Sequence, residues 1–129
     1  MLGDIDAVAN LAVKDLAVAK KFYTEVLGLK PVATEDQEVI VFKSGNTVVN
    51  VYRSQYAGTN QATAVTWTVD DVERKVQALK ERGVKFEHYD LPGMKREGDL
   101  HISGGLKVAW FKDPDGNILN LVNRPAKAR

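Results

Sequence analysis

The chain has 129 residues, a length that fits one compact domain or two half-size modules that share a core. Its 18 basic and 17 acidic side chains nearly balance, so no nucleic-acid or membrane partner is predicted, and a small organic ligand or a protein is favoured. The absence of cysteine excludes disulfides, thiolate metal sites and cysteine nucleophiles. Because the N-terminus lacks the basic and apolar regions of a signal peptide and no apolar run reaches roughly 20 residues, the predicted location is cytoplasmic.

The first half of the chain alternates as a strand over residues 5–13 and then changes to a helical pattern over 16–27. Asp15 stands where a helix cap is expected, and Gly28 where the helix should end. Three further strands are predicted at 31–34, 38–43 and 47–53.

The second half repeats this order of strands and helix. A strand pattern at 63–69 precedes Asp70 or Asp71 as the cap of a helix that Gly83 closes. Strands are again predicted, at 85–89, 107–112 and 117–122. The segment 90–105 is predicted to be irregular and to cover a cleft, because it contains a proline and four glycines.

Matches between the halves identify equivalent positions. Val41-Phe-Lys43 corresponds to Trp110-Phe-Lys112, and the strand that follows each match carries Asn50 in one half and Asn120 in the other. The predicted fold is therefore α+β, with two βαβββ modules related by a pseudo-twofold axis that form a curled mixed sheet with outer helices. The predicted domain covers residues 1–129, with module one at 1–57, module two at 61–124, and a disordered tail at 125–129.

Strand alternation places a set of neutral polar and aromatic side chains on the inner face of this sheet. The predicted ligand-binding residues are Asn10, Asn50, Tyr52, Thr66, Thr68, Trp110 and Asn120. Alternation alone does not decide between Trp110 and Phe111 for the inner face, and Trp110 is chosen because an indole could stack on a planar ligand. Such a lining favours an uncharged or weakly charged ligand, since a buried charge without a counter-charge is costly. The alternative is that the amides bond to one another or to the backbone.

Acid–base chemistry has three candidates, His88, His101 and Tyr52. The alternative for the histidines is that they are exposed or anchor the segment 90–105. A metal site built from both would need Glu97 or Asp99 to converge on them, and the spacing of thirteen residues (88 to 101) matches no known ligand pattern.

Three motifs carry a resemblance that covers nearly the whole chain: VKDL at 13–16, FYTEVLGL at 22–29 and FKDPDGN at 111–117. In this order they resemble the vicinal oxygen chelate superfamily, which includes glyoxalase I, extradiol dioxygenases, fosfomycin-resistance enzymes and bleomycin-binding proteins. The resemblance implies a homodimer, and in the metalloenzymes it implies ligands at positions that are here Val8, Asn50, Ala64 and Asn120. Two of these have no donor atom and two are neutral amides, so we expect no metal and no other cofactor.

The leading prediction is metal-independent binding of a small organic molecule in the cleft of the cupped sheet, as in bleomycin-binding relatives. A glyoxalase-like lyase or isomerase, or a dioxygenase, with no metal or an unusual site, is an alternative, so enzymatic activity is left open. A structural or protein-interaction domain is a third, and it predicts a cleft filled by the protein's own side chains.

Overall fold

The structure, a computed structural model, describes residues 1–124 and has the predicted α+β fold. The tail 125–129, for which disorder was predicted, lies outside the described residues. Within the described part, ten strands form two mixed sheets, one of four and one of six strands. No helix in residues 1–124 is long and apolar enough to cross a membrane.

Contacts divide the chain into two units. The first unit contains Met1–Asn60 together with Pro114–Asn117, and the second contains Gln61–Asp113 and residues 118–124. The first unit comprises β1 (Ala9–Val13), α1 (Leu16–Lys21) with a π-helical continuation (Phe22–Val26), β2 (Lys30–Glu35), β3 (Val39–Ser44) and β4 (Thr47–Arg53). The second comprises β5 (Thr63–Val69), α2 (Val72–Glu81), β6 (Phe86–Glu87), β7 (Lys95–Glu97), β8 (Leu100–Ser103), β9 (Leu106–Lys112) and β10 (Ile118–Asn123).

The first unit is a strand, a helix and three strands, as predicted. Asp15 caps α1, because its Oδ1 accepts hydrogen bonds from the backbone N–H of Ala17 at 2.9 Å and of Val18 at 3.2 Å. The sheet order is β1-β4-β3-β2, with β1 parallel to β4 and the other pairs antiparallel. This order leaves β1 and β2 as the two edges of the sheet.

The core of the first unit follows from alternation along its strands. Leu11 and Val13 of β1 and Val51 of β4 are buried, while the residues between them are not. Tyr23, which is fully buried, packs on Phe42 of β3 with ring centroids 5.8 Å apart. The helix therefore covers one face of this sheet and leaves the other face to the intervening residues.

The turn Pro114–Asn117 connects β9 to β10 but makes its contacts in the first unit. Asn117 is buried, and its Nδ2 donates to the carbonyl of Ala12 at 2.7 Å. The backbone N–H of Lys14 donates to Asp115 Oδ1 at 3.1 Å. The FKDPDGN motif thus supplies side chains that bind the carboxyl end of β1.

In the second unit β5 is parallel to β10, and the order is β5-β10-β9-β8-β7 with β6 beside β9. Of the two candidate caps, Asp71 caps α2, with its Oδ1 accepting from the N–H of Arg74 at 3.1 Å. Phe86 and Phe111 are buried with ring centroids 5.6 Å apart, and α2 packs against β9 and β10.

Three local predictions were wrong. The first strand, predicted at 5–13, begins only at Ala9 and is preceded by a 3₁₀ helix at Leu2–Asp4. Segment 90–105 is not wholly irregular, because it contains the β7–β8 hairpin, in which Gly98 takes the positive φ of +61° that its tight turn requires. Its β7 strand is exposed throughout and so carries no apolar alternation. The predicted strand at 85–89 is shorter, and only Phe86–Glu87 pairs with β9.

Candidate functional site

The central feature of the second unit is a row of three predicted ligand-binding residues. In the strand register, Asn120 of β10 stands between Thr66 of β5 and Trp110 of β9. Side chains that are paired across neighbouring strands point to the same side of a sheet. They therefore share one face, which we call the Asn120 face, and the buried Leu119 and Phe111 point to the other.

Asn120 itself is buried, with 7% of its surface exposed, and its Oδ1 has no hydrogen-bond partner among residues 1–124. Buried polar groups are nearly always paired, and leaving an acceptor unpaired costs about 1–3 kcal/mol. The alternative prediction, that the amides satisfy one another, does not hold for this oxygen.

Trp110 stands beside Asn120 and is fixed at both ends of its ring system. Its Nε1 donates to Thr63 Oγ1 at 2.9 Å. The rings of His101 and Tyr89 meet it nearly edge-on, with centroids at 4.8 Å and 5.3 Å. These contacts restrain the indole ring in one orientation.

His101 is buried, with only 1% of its surface exposed, and both ring nitrogens have partners. Its Nε2 accepts the backbone N–H of Tyr89 at 2.9 Å, so Nδ1 carries the proton and donates to the carbonyl of Val108 at 3.3 Å. This geometry makes His101 an anchor for Tyr89. It leaves neither nitrogen available to a substrate.

Tyr89 is a residue that sequence reasoning did not single out. Like Asn120 Oδ1, its hydroxyl is buried and has no hydrogen-bond partner in the part of the chain that the structure describes. Burial, followed by the nearby charge of Glu87, raises the pKa of the Tyr89 phenol above its usual range. An aromatic residue directly after a short strand was the available signal, but its contact with Trp110 depends on the fold.

The other predicted residues of the second unit lie apart from this cluster. Thr68 pairs with Val122, one row further along the Asn120 face, and is exposed. His88 is on the surface, where its Nε2 lies 2.8 Å from Asp99 Oδ1. Lys80 Nζ reaches the same carboxylate at 2.8 Å, and these two contacts, that of Lys80 first, lower the pKa of Asp99.

Charged residues lie at the margins of the Asn120 face. Glu87 continues the row beyond Trp110, and its carboxylate lies 3.9 Å from Lys112 Nζ. Arg96 is the cross-strand partner of His101, which lies two strands away from Asn120.

A separate hollow of about 620 Å³ opens beside Thr68 at the start of α2. Its charged lining includes Asp70 and Arg124, which pair with each other at 2.6 Å.

In the first unit, the remaining predicted residues also share a face. Asn10 and Asn50 are paired across β1 and β4, and Tyr52 lies one row further on. Asn10 Nδ2 donates to the carbonyl of Val8 at 3.3 Å. Asn50 is half-buried and Tyr52 is 36% exposed, so this face is more open than the surroundings of Asn120.

The residues at the four positions where relatives hold a metal do not fit one. Val8 and Ala64 are exposed and have no donor atom, and Asn50 and Asn120 are neutral amides. Within residues 1–124, no group of three or more His, Cys, Asp or Glu side chains is placed to hold a metal ion.

Solved structures with this fold cover nearly the whole chain. The bleomycin resistance determinant encoded on transposon Tn5 has a TM-score of 0.71 at 20% identity, covering 94% of this chain and 98% of that one. Lactoylglutathione lyase from Agrobacterium tumefaciens has 0.68 at 20%, covering 92% of each chain. The fosfomycin resistance protein FosX from Listeria monocytogenes has 0.70 at 13%, covering 93% of each. At such identities these likenesses show the fold alone.

Sequence comparison places the chain in a family. No curated protein sequence matches it significantly. The sequence profile of one superfamily matches residues 4–121, which include nearly all the strands of both units. The resemblance seen in the VKDL and FKDPDGN motifs is thereby confirmed, and the chain belongs to the Glyoxalase/Bleomycin resistance protein/Dioxygenase superfamily.

Proposed function

We propose that this protein binds a small, uncharged or weakly charged organic molecule at the Asn120 face, without a metal. The observation that carries the proposal is the buried and unpartnered Oδ1 of Asn120. A donor group on a bound molecule would supply the hydrogen bond that this oxygen lacks.

The chemistry of the face supports a neutral ligand. The row contains a hydroxyl, an amide and an indole, from Thr66, Asn120 and Trp110. Glu87, at the end of this row, and Lys112 lie within ion-pair distance of each other. A strongly charged ligand would lose its hydration beside these neutral side chains, and hydrogen bonds to neutral groups compensate that loss poorly.

Independence from metal rests on the donor set. Two aliphatic side chains and two amides stand at the positions of the family's metal ligands, and neutral amide oxygens alone hold divalent ions weakly against water. The names of relatives with this fold include a bleomycin resistance determinant, a fosfomycin resistance protein and a lyase. They support a small-molecule ligand in general, and none of their ligands is assigned to this chain.

The other functions find less support. An acid–base enzyme using His101 would have to break two hydrogen bonds to free the ring. A purely structural domain is expected to satisfy its buried amides internally, and Asn120 Oδ1 is not satisfied. Ligand contact by Asn10, Asn50, Tyr52 and Thr68, the homodimer, and the cytoplasmic location stay predictions.

The test is a thermal-shift screen of the purified protein after dialysis against EDTA. The panel contains neutral aromatic, neutral aliphatic and charged compounds, with bleomycin and fosfomycin among them. Saturating ligand at a hundred times its Kd stabilises by about 2.7 kcal/mol, which is easily measured as a rise in Tm. We expect neutral compounds to raise Tm for the wild type and to have little effect on Asn120→Val.

Two outcomes would contradict the proposal. One is a stoichiometric divalent ion that elemental analysis finds in the protein before dialysis and that EDTA removes together with ligand binding. The other is a panel in which no compound raises Tm, which would favour a structural or protein-interaction domain.

A further inference from the structure

A second unpartnered polar atom belongs to a residue whose ring packs on the same indole. Among the described residues of the second unit, the buried side-chain atoms without a hydrogen-bond partner are Asn120 Oδ1 and Tyr89 Oη. Asn120 is the cross-strand partner of Trp110, and the Tyr89 ring packs on Trp110 at 5.3 Å. Both unsatisfied groups therefore adjoin one aromatic residue.

The position of Tyr89 is fixed by the fold rather than left to side-chain motion. His101 Nε2 accepts the backbone N–H of Tyr89, and the buried His101 ring lies against both Tyr89 and Trp110, with centroids at 6.0 Å and 4.8 Å. Groups whose own conformation is locked by packing and hydrogen bonds are typical of binding sites. The Tyr89 hydroxyl is buried in this position and has no hydrogen-bond partner among the described residues.

The phenol is also kept in its neutral form. Burial and the charge of Glu87 raise its pKa, so at neutral pH the hydroxyl is protonated and both donates and accepts. Asn120 Oδ1, in contrast, only accepts. The pair thus presents one acceptor and one donor–acceptor next to a flat apolar ring system.

We propose that Tyr89 is a ligand-binding residue of this site, and that the ligand class is a neutral planar molecule that stacks on Trp110. One end of the molecule carries an O–H or N–H donor for Asn120 Oδ1, and another position carries a carbonyl or hydroxyl for Tyr89 Oη. This inference rests on the proposed function, and it adds a residue and a ligand chemistry to it.

The test uses fragments that differ by one feature at a time. One such set takes 4-hydroxybenzamide as its reference compound. Its O-methyl ether lacks the phenolic donor, and 4-hydroxybenzoate is charged. The saturated analogue 4-hydroxycyclohexanecarboxamide is not planar. Binding is followed by NMR as movement of the Trp110 indole N–H signal. Trp67, the chain's other tryptophan, lies on the opposite face of β5 from Thr66 and serves as the internal reference. A Trp67→Phe variant assigns the two signals.

We expect the planar fragments that carry donors to bind about tenfold more tightly than their methylated partners, because each methylation leaves a buried acceptor unpaired. The ionised and the saturated analogues should bind still more weakly. Tyr89→Phe, which removes only the hydroxyl, should weaken the binding of the carbonyl-bearing fragments by a similar factor. Tyr56→Phe is the matched control, since Tyr56 is 68% exposed and belongs to the first unit.

The outcomes separate this inference from the proposed function. Fragments that bind wild type and Tyr89→Phe equally, or that bind without regard to planarity or donors, would overturn the inference and leave small-molecule binding intact. If no neutral compound of any shape binds, the proposed function and the inference fail together.

Discussion

Replacing Asn120 by valine separates a ligand-binding amide from a structural one. Valine is favoured in β-strands and has no polar side-chain atom. The variant therefore removes the unpartnered Oδ1 and places an apolar side chain at the buried position. If the oxygen awaits a ligand, the free protein gains stability and the complex loses its acceptor. If the amide is structural instead, the variant should lose stability and its ligand binding should not change.

The magnitude follows from the cost of an unpaired buried acceptor. Removing a penalty of about 1–3 kcal/mol, less some lost packing of the amide, should raise the free energy of unfolding by about 1 kcal/mol. For a chain of this length that corresponds to a rise in Tm of about 4 °C. Urea denaturation gives the free energy directly, and its m value should not change because the fold does not change.

Asn123 supplies the control on the same strand. Its Oδ1 accepts the backbone N–H of Lys107 at 2.8 Å, and its Nδ2 donates to the carbonyl of Gly105 at 2.8 Å. Asn123→Val therefore breaks two hydrogen bonds and should lower the free energy of unfolding by about 1–3 kcal/mol. The same substitution three residues apart is thus expected to act in opposite directions.

Either of two results would refute this reasoning. If Asn120→Val loses about as much stability as Asn123→Val, the Asn120 amide has internal partners and its burial is structural. A stabilised variant that still binds the ligands of the wild type would also remove Asn120 from the site.

Two further predictions concern the scaffold. Gly58→Ala should lower the free energy of unfolding by roughly 3 kcal/mol in urea titrations, because φ is +75° and a Cβ would lie 2.1 Å from the carbonyl oxygen of Asp115. Gly45→Ala, with φ +59° and open space, should lose only about 1 kcal/mol, and equal losses would contradict the argument. Hydrogen bonds from Lys80, the larger cause, and His88 lower the pKa of Asp99. The ionised Asp99 carboxylate therefore stabilises the folded protein above the usual carboxyl pKa range, and this contribution is lost as the pH falls through the lowered pKa. The Tm difference between wild type and Asp99→Asn should therefore shrink in acid, and a constant difference would contradict this.

Local rules predicted most of the fold. Asp15 and Asp71 cap their helices because capping depends on a side chain and on backbone groups two or three residues away. Strands β1, β3 and β4 were found because buried and less buried residues alternate along each of them. The repeated pattern indicated the order strand, helix and three strands, and the first unit has this order.

The missed features depend on contacts that are distant in sequence. Strand β7 is exposed at all three positions, so its pairing with β8 leaves no apolar pattern. Tyr89 belongs to the candidate site only because His101 and Trp110, twelve and twenty-one residues further along the chain (89 to 101 and 89 to 110), fold back against it. The sequence left His101 open between an acid–base role and an anchoring role, and its two hydrogen bonds favour anchoring.

The repeat predicted equivalent roles for Asn50 and Asn120, and their neighbours explain why the two environments differ. Asn50 stands beside Val41 on β3, and Asn120 stands beside Trp110 on β9, which is the matching position of the second half. A valine leaves Asn50 half-exposed, where water satisfies an amide at little cost. Beside an indole held by a hydrogen bond and two rings, Asn120 is buried and its oxygen is unsatisfied. The difference between the two amides therefore arises from the neighbouring residue rather than from the asparagine itself.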